Sequence, residues 1–289
     1  MKKDLTTGNV FQTILYFALP YLLSYFLQTL YGMADLYIIG QFNGVAATTA
    51  VSIGSQVMHM LTVIIVGLAM GTTVTVGRAI GAKKTDEASL AIGNTVTLFM
   101  IVSVVFTLGL LLLLKPIVAL ISTPQEAVQG TIQYLFVCFI GIPFITAYNI
   151  ISSIFRGLGD SKSPMYFVAV ACVANIGLDY LFIGVMSMGP VGAALGTTLA
   201  QTISVAISLI AIHKKQIGVH LTKKDFKPQV SVMKMLLSIG VPVALQDGFI
   251  QVAFIVITII ANQRGIYRTV FHAGNGIGTC GAEYWCRQA

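Results

Sequence analysis

Charge is what this sequence has least of. Only 9% of its 289 residues are Asp, Glu, Lys or Arg, where soluble domains carry about a quarter. With 56% hydrophobic residues and a mean hydropathy of +0.87, too little polar surface exists to clothe a water-soluble globule. Disorder and coiled coil fail on the same shortage. Ten acidic residues stand against seventeen basic ones, a net charge of +7. The basic residues form no stripe with interleaved aromatics, which excludes nucleic acid as a partner. Cysteine is sparse too. Cys138, Cys172, Cys280 and Cys286 make neither a disulfide framework nor a metal-ligand spacing. Cys138 and Cys172 sit in apolar runs and read as small buried hydrophobes.

What the chain does have is long apolar runs. A spanning helix needs about 20 mostly apolar residues, and seven such blocks occur, at 12–39, 45–76, 89–114, 131–155, 164–186, 191–212 and 235–261. The expectation is an all-α polytopic membrane protein. Turn-forming stretches separate the blocks at 41–44, 77–86, 115–116 with 122–124, 156–164, 188–190 and 213–228. The first block follows Lys2 and Lys3 but runs past a signal peptide's apolar core and lacks a small-x-small cleavage site. It reads as a retained helix.

Basic residues give the orientation. Lys2, Lys3, Arg78, Lys83, Lys84, Arg156, Lys162, Lys214, Lys215, Lys223, Lys224, Lys227 and Lys234 fall on one side, and before the last span ends Lys115 alone falls on the other. The N-terminus is expected in the cytoplasm. Past the seventh block the pattern breaks. Arg264, Arg268, Arg287, Trp285, Cys280 and Cys286 crowd into 264–289 without an apolar period. That tail reads as disordered or out of frame, with a genuine extracellular tail as the alternative. The letters of a dinucleotide fingerprint at 276–281 lie there, where no βαβ unit can form.

A weak internal repeat relates 14–20 to 236–242, each ending in proline after a polar lead. It suggests six helices in one lobe and a seventh opening a second, the plan of transporters built from two halves. The division expected is a six-helix lobe over 1–212, a basic cytoplasmic loop over 213–234, a seventh helix over 235–263 and the tail over 264–289.

Asp35, Asp179 and Asp247 fall inside apolar spans. A carboxylate at the bilayer centre costs at least ~2.5–3.5 kcal/mol, so each is a functional candidate. The alternative is an acid near a helix end that reaches the headgroups. At about 1.5 Å per residue, Asp35 lies roughly 31 Å up the first helix, Asp179 roughly 21 Å up the fifth, and Thr197 about 9 Å in from the outer end of the sixth. These depths converge in the outer half of the bilayer. Asn175 precedes Asp179 by one helical turn and shares its face. Two carboxyls, an amide and a hydroxyl then form an oxygen-rich pocket that suits a hard cation such as Na+. Equally, two neighbouring acids in a low dielectric cannot both ionise, so one takes a proton. Either way, occupancy by an ion would decide whether the helices close or admit a cationic substrate, which is the physics of coupled antiport. Asp247, with Gln246 beside it a turn past Pro242 and Gln251 one turn on, serves either a second-lobe cavity or helix packing.

Several stretches together resemble one family. They are 30–35 (Leu-Tyr-Gly-Met-Ala-Asp) with Ile39-Gly40, 77–84 (Gly-Arg-Ala-Ile-Gly-Ala-Lys-Lys), 155–164 (Phe-Arg-Gly-Leu-Gly-Asp-Ser-Lys-Ser-Pro), 174–179 (Ala-Asn-Ile-Gly-Leu-Asp) and 192–197 (Gly-Ala-Ala-Leu-Gly-Thr). In order and spacing they resemble the multidrug and toxic compound extrusion (MATE) transporters, in the bacterial branch related to the DNA-damage-inducible efflux proteins. The resemblance covers about 10–265. It implies a fold of two six-helix lobes, of which this chain supplies the first lobe and the first helix of the second. It also implies export of cationic amphipathic compounds against Na+ or H+ across the bacterial cytoplasmic membrane, with membrane lipids around a monomer and no cofactor beyond the coupling ion. Carried over by position, cation coupling would fall to Asp35, Asn175, Asp179 and Thr197. The substrate cavity would involve Gln28, Tyr31, Tyr134 and Asn149. The family continues beyond a seventh helix, so the chain is expected to be an incomplete copy that transports poorly alone.

Two rivals remain. A lipid-linked oligosaccharide flippase of the same superfamily would line its cavity with Arg or Lys, whereas these spans hold acids. A non-functional transporter fragment is the other. An enzyme is not expected: 157–160 (Gly-Leu-Gly-Asp) resembles an intramembrane aspartyl protease signature, but it lies in a loop beside Arg156, Lys162 and Pro164.

Overall fold

The computed structural model describes residues 10–215 and 221–263. The atypical tail over 264–289, its fingerprint-like letters and part of the basic loop lie outside the described residues. Helices α1 (Val10–Phe42), α2 (Val45–Gly81), α3 (Thr85–Leu120), α4 (Gln125–Gly157), α5 (Lys162–Asp179), α6 (Gly189–Lys215) and α7 (Val230–Gln263) follow in order, and a π-helical segment, Tyr180–Val185, continues α5. No strand occurs among the described residues. Seven spans, counting α5 with its π segment as one, are long and apolar enough to cross a membrane. That is the outcome hydrocarbon enforces, because a backbone without water must satisfy its own hydrogen bonds.

The helices outrun the apolar blocks that announce them. Pro116, expected in a turn, lies inside α3, which ends only at Leu120. A proline removes a single N–H and is tolerated in a spanning helix that its neighbours support. Likewise α7 begins at Val230, ahead of its apolar run. Pro20 and Pro143 are also internal to helices, and Ser24 Oγ donates to the Pro20 carbonyl at 2.8 Å. The turn into α5 is tight: Gly159 takes φ +82°, a left-handed conformation that favours glycine. Asp160 then caps α5, its Oδ1 accepting from the N–H groups of Lys162 (3.1 Å) and Ser163 (3.0 Å).

Helices α2 and α4 form the centre of the bundle. On one level Ile39, Val51, Leu135, Phe139, Ile142 and Ile183 pack together. On the other, Val76, Phe99, Ile154, Phe155, Phe167 and Val168 do so. Close approach is set by small residues. A Cβ at Gly67 would strike Ala244, and one at Gly71 would strike the Leu236 carbonyl, so the Gly67/Gly71 step is the seat on which α7 packs. Close packing between helices is the use such steps commonly have in membranes.

The α6–α7 connection is held from α3. Asn94, fully buried, accepts at Oδ1 from Gln229 N (2.7 Å) and donates from Nδ2 to Asp225 O (3.2 Å). Thr97 Oγ1 donates to Phe226 O at 2.8 Å. Asp225 accepts in turn from the N–H and hydroxyl of Thr222, and the backbone donor first, then the hydroxyl, holds its carboxyl below the usual carboxylate range. Asn94→Ala would remove two hydrogen bonds to partly exposed backbone groups of the connection, a loss of about 1–3 kcal/mol at roughly 0.5–1.5 kcal/mol each. The expected result is a lower thermal unfolding midpoint with earlier proteolytic cleavage in the 216–229 region. Unchanged cleavage kinetics would contradict it.

Candidate functional site

Three helices bring four side chains to one place. Asp35 comes from α1, Asn175 and Asp179 from α5, and Thr197 from α6. Their convergence depends on glycine: a Cβ at Gly196 would collide with Oδ1 of Asp179, and one at Gly192 would press on Phe182 of the π segment. With hydrogens there instead, α6 settles directly against the end of α5. Asn175 Nδ2 donates to Thr197 Oγ1 at 3.5 Å, and Thr197 Oγ1 donates to Asp35 Oδ2 at 3.2 Å. The run of donors ends at the carboxyl.

The acceptors outnumber those donors. Asp35 Oδ1, both carboxyl oxygens of Asp179 and Asn175 Oδ1 are buried without a hydrogen-bond partner among the described residues. Asp35 is 4% exposed, Asn175 1% and Asp179 0%. The two carboxyls lie close enough to act directly on one another. Buried charge without compensation costs several kcal/mol, and like charge beside it costs more. Chemically, this cluster of oxygens can take a positive species, either a proton shared by the carboxyls or a hard cation held by oxygen ligands.

Of the residues expected to line a cavity, Tyr31 joins this cluster. It borders a narrow crevice with Ala171, Asn175, Thr197, Ala200 and Gln201. Gln28 lies one turn further along α1, half-buried. Tyr134 is near enough for Asp35 to act on it, but its hydroxyl pairs with Ser55 Oγ at 3.0 Å in the α2–α4 seam. Asn149 is not among the residues that border this crevice. It is buried in α4 and donates from Nδ2 to the Ile145 carbonyl of its own helix at 2.8 Å. On α7, Gln246 is exposed and Asp247 and Gln251 are half-buried. The packing face of α7 is Leu236, Gly240 and Ala244.

Gln201 went unremarked in the sequence, although its signal is there. Thr197, Gln201, Ser204 and Ser208 recur at steps of four, three and four residues along α6, a single polar face of the helix. All but Thr197 are buried.

The MatE family profile matches residues 20–181, a stretch that contains Asp35, Asn175 and Asp179. The chain belongs to the MatE family. Its relatives include the probable multidrug resistance protein YpnP of Bacillus subtilis, 30% identical over 262 residues that make up 91% of this chain and 58% of that protein. The probable multidrug resistance protein NorM of Thermotoga maritima is 30% identical over 80% of this chain and 50% of that one. Among solved structures, a MOP-superfamily transporter from Pyrococcus furiosus, described by a binding pocket of reversed polarity, aligns with a TM-score of 0.78 at 27% identity, covering 84% of this chain and 54% of that one. An outward-facing multidrug resistance MATE family transporter aligns at 0.77 and 28%, covering 83% and 53%. The chain thus spans between half and three-fifths of the proteins it matches. With its seven apolar spans, this MatE-family chain is a multi-pass membrane protein whose fold is that of the MATE transporters.

Proposed function

We propose that the chain forms the ion-coupling lobe of a secondary active multidrug exporter, which moves cationic amphipathic compounds out of a bacterial cell in antiport with Na+ or H+. A single observation supports this reading: a pair of buried carboxyls with orphaned oxygens beside a bonded Thr197, which a positive species would complete. Asp35, Asn175, Asp179 and Thr197 would hold the coupling ion. Tyr31, with Gln201 beside it, would face the substrate, and Gln28 would extend that surface along α1. Tyr134 would contribute through its proximity to Asp35. Gln246, Asp247 and Gln251 of α7 would belong to the opposing lobe's cavity. The excess of Lys and Arg on one side favours a cytoplasmic N-terminus in the bacterial inner membrane. Acids rather than bases at the centre of the spans favour cations over the anionic headgroups a flippase would carry, and the relatives named as multidrug resistance proteins favour drug export in general.

Coupling by the carboxyl pair requires that a cation bind and be released, and binding stabilises the state that binds. Thermal unfolding of the purified chain in detergent should therefore shift upward on acidification, or on replacing choline chloride with NaCl at constant ionic strength. Which of the two acts identifies the coupling ion. Indifference to both would sink the proposal. In cells, resistance to cationic dyes reads the export itself.

A further inference from the structure

Arg156 stands in the last turn of α4, at the end of the bundle where α1 begins. The helix extends to Gly157 and carries this arginine half-buried into the bundle. Its guanidinium lies 5.3 Å from the centroid of the Tyr21 ring, and Nη2 donates to Ser153 Oγ at 2.9 Å. A guanidinium has five N–H donors, and this is the one hydrogen bond it makes among the described residues. No carboxylate pairs with it there: the single ion pair among the described residues is Lys84 with Glu87. The acid nearest in sequence, Asp160, is committed to capping α5, where Ser163 Oγ also donates to its Oδ2 at 2.5 Å. A second cation approaches the same stretch of α1. Lys162 Nζ lies 4.5 Å from the centroid of the Tyr16 ring. Tyr16 and Tyr21 are five residues apart, roughly 7.5 Å along the helix, and the Tyr25 ring follows at 6.2 Å from Tyr21.

Two cations held on tyrosine rings at a helix end, one of them partly desolvated and without a counter-ion, form a site for an anion. The depth identifies which. Tyrosines gather at the headgroup level of a bilayer, and the group of negative charge and free acceptor oxygens at that level is a lipid phosphate. The planar fork of Arg matches phosphate geometry, and Lys adds a point charge. Deeper into the hydrocarbon, α1 exposes Leu22, Leu23 and Phe26 and α5 exposes Tyr166, Val170 and Val173, surfaces fit for acyl chains. We propose that the notch between the N-terminal half of α1 and the α4–α5 turn binds the phosphate of an anionic phospholipid through Arg156 and Lys162. The bound lipid tethers the end of the helix that carries Tyr31 and Asp35. This site does not depend on the ion-coupling reading.

Native mass spectrometry of the full 289-residue chain, with phosphatidylglycerol and phosphatidylcholine in equal amounts, tests it. Phosphatidylglycerol should be retained about tenfold better, since charge-assisted hydrogen bonds are the strong ones. Arg156→Gln and Lys162→Gln should each erase most of that preference, and Arg156→Lys should weaken it through loss of the fork. Lys83→Gln, an exposed lysine at the same end of the bundle, should leave it intact. Lys162 is exposed as well, so its variant keeps the test sound should Arg156→Gln not fold. Equal retention of both lipids, a preference that survives Lys162→Gln, or a preference erased by added inorganic phosphate would overturn the proposal.

Discussion

Asp179→Asn should make the chain more stable in cation-free alkaline buffer while abolishing its response to Na+ or acid. Neither oxygen of Asp179 has a donor, and the residue is fully buried beside Asp35. Asparagine keeps the shape, removes one of two adjacent charges and brings an N–H2 group that Asp35 Oδ1 can accept. Replacing an uncompensated buried charge in this way is expected to stabilise by about 1–4 kcal/mol. An ordinary core mutation destabilises, so the sign itself is diagnostic. Asp35→Asn should act in the same direction but less strongly, because Thr197 already donates to that carboxyl. A fall in stability on Asp179→Asn, with the cation response retained, would mean that the pair is held by something other than a mobile positive species.

The second large effect concerns a residue with no side chain. Gly196→Val should dismantle the site while leaving the bundle helical. Its Cβ would occupy the position of Asp179 Oδ1, and the carboxyl is enclosed on all sides with little room to turn. Overpacking of this kind costs about 1–3 kcal/mol. The thermal midpoint should fall, and the cation response should vanish with it. Gly177→Ala provides the contrast. A Cβ there would meet nothing within 4 Å, and alanine is favoured over glycine inside a helix by about 0.8–1 kcal/mol. That variant should be slightly more stable and should respond to cations as the parent does. Equal behaviour of the two variants would refute the close approach of α6 to Asp179.

Much of the site was legible before any coordinates. The rise of a helix is fixed, so counting residues from each end of a span placed Asp35, Asp179 and Thr197 at a common depth, and helical spacing put Asn175 on the face of Asp179. Counting gives height and no rotation. Asn149 and Tyr134 show the consequence: one bonds to its own helix, the other to Ser55 across the α2–α4 seam. Gln201 shows the converse, for it reaches the crevice because α6 turns its polar face inward. In a soluble helix an apolar stripe reveals which side faces the core. A spanning helix is apolar all round, and much of that signal is lost. The π segment after Asp179 was equally hidden, since it depends on how α5 packs against α1 and α6 rather than on its own composition.

From composition and periodicity alone came the seven spans, the all-helical class and the expectation that the acids share a level. Each follows from a rule that acts on a single segment: hydrocarbon forbids unsatisfied backbone, and an α-helix climbs a constant distance per residue. Tertiary contact decided which side chains share a pocket, that Pro116 does not end α3, that α7 seats on Gly67 and Gly71, and that Gly196 admits Asp179 to the site. Those outcomes depend on the mutual rotation and spacing of helices, which arise only when several segments pack against one another.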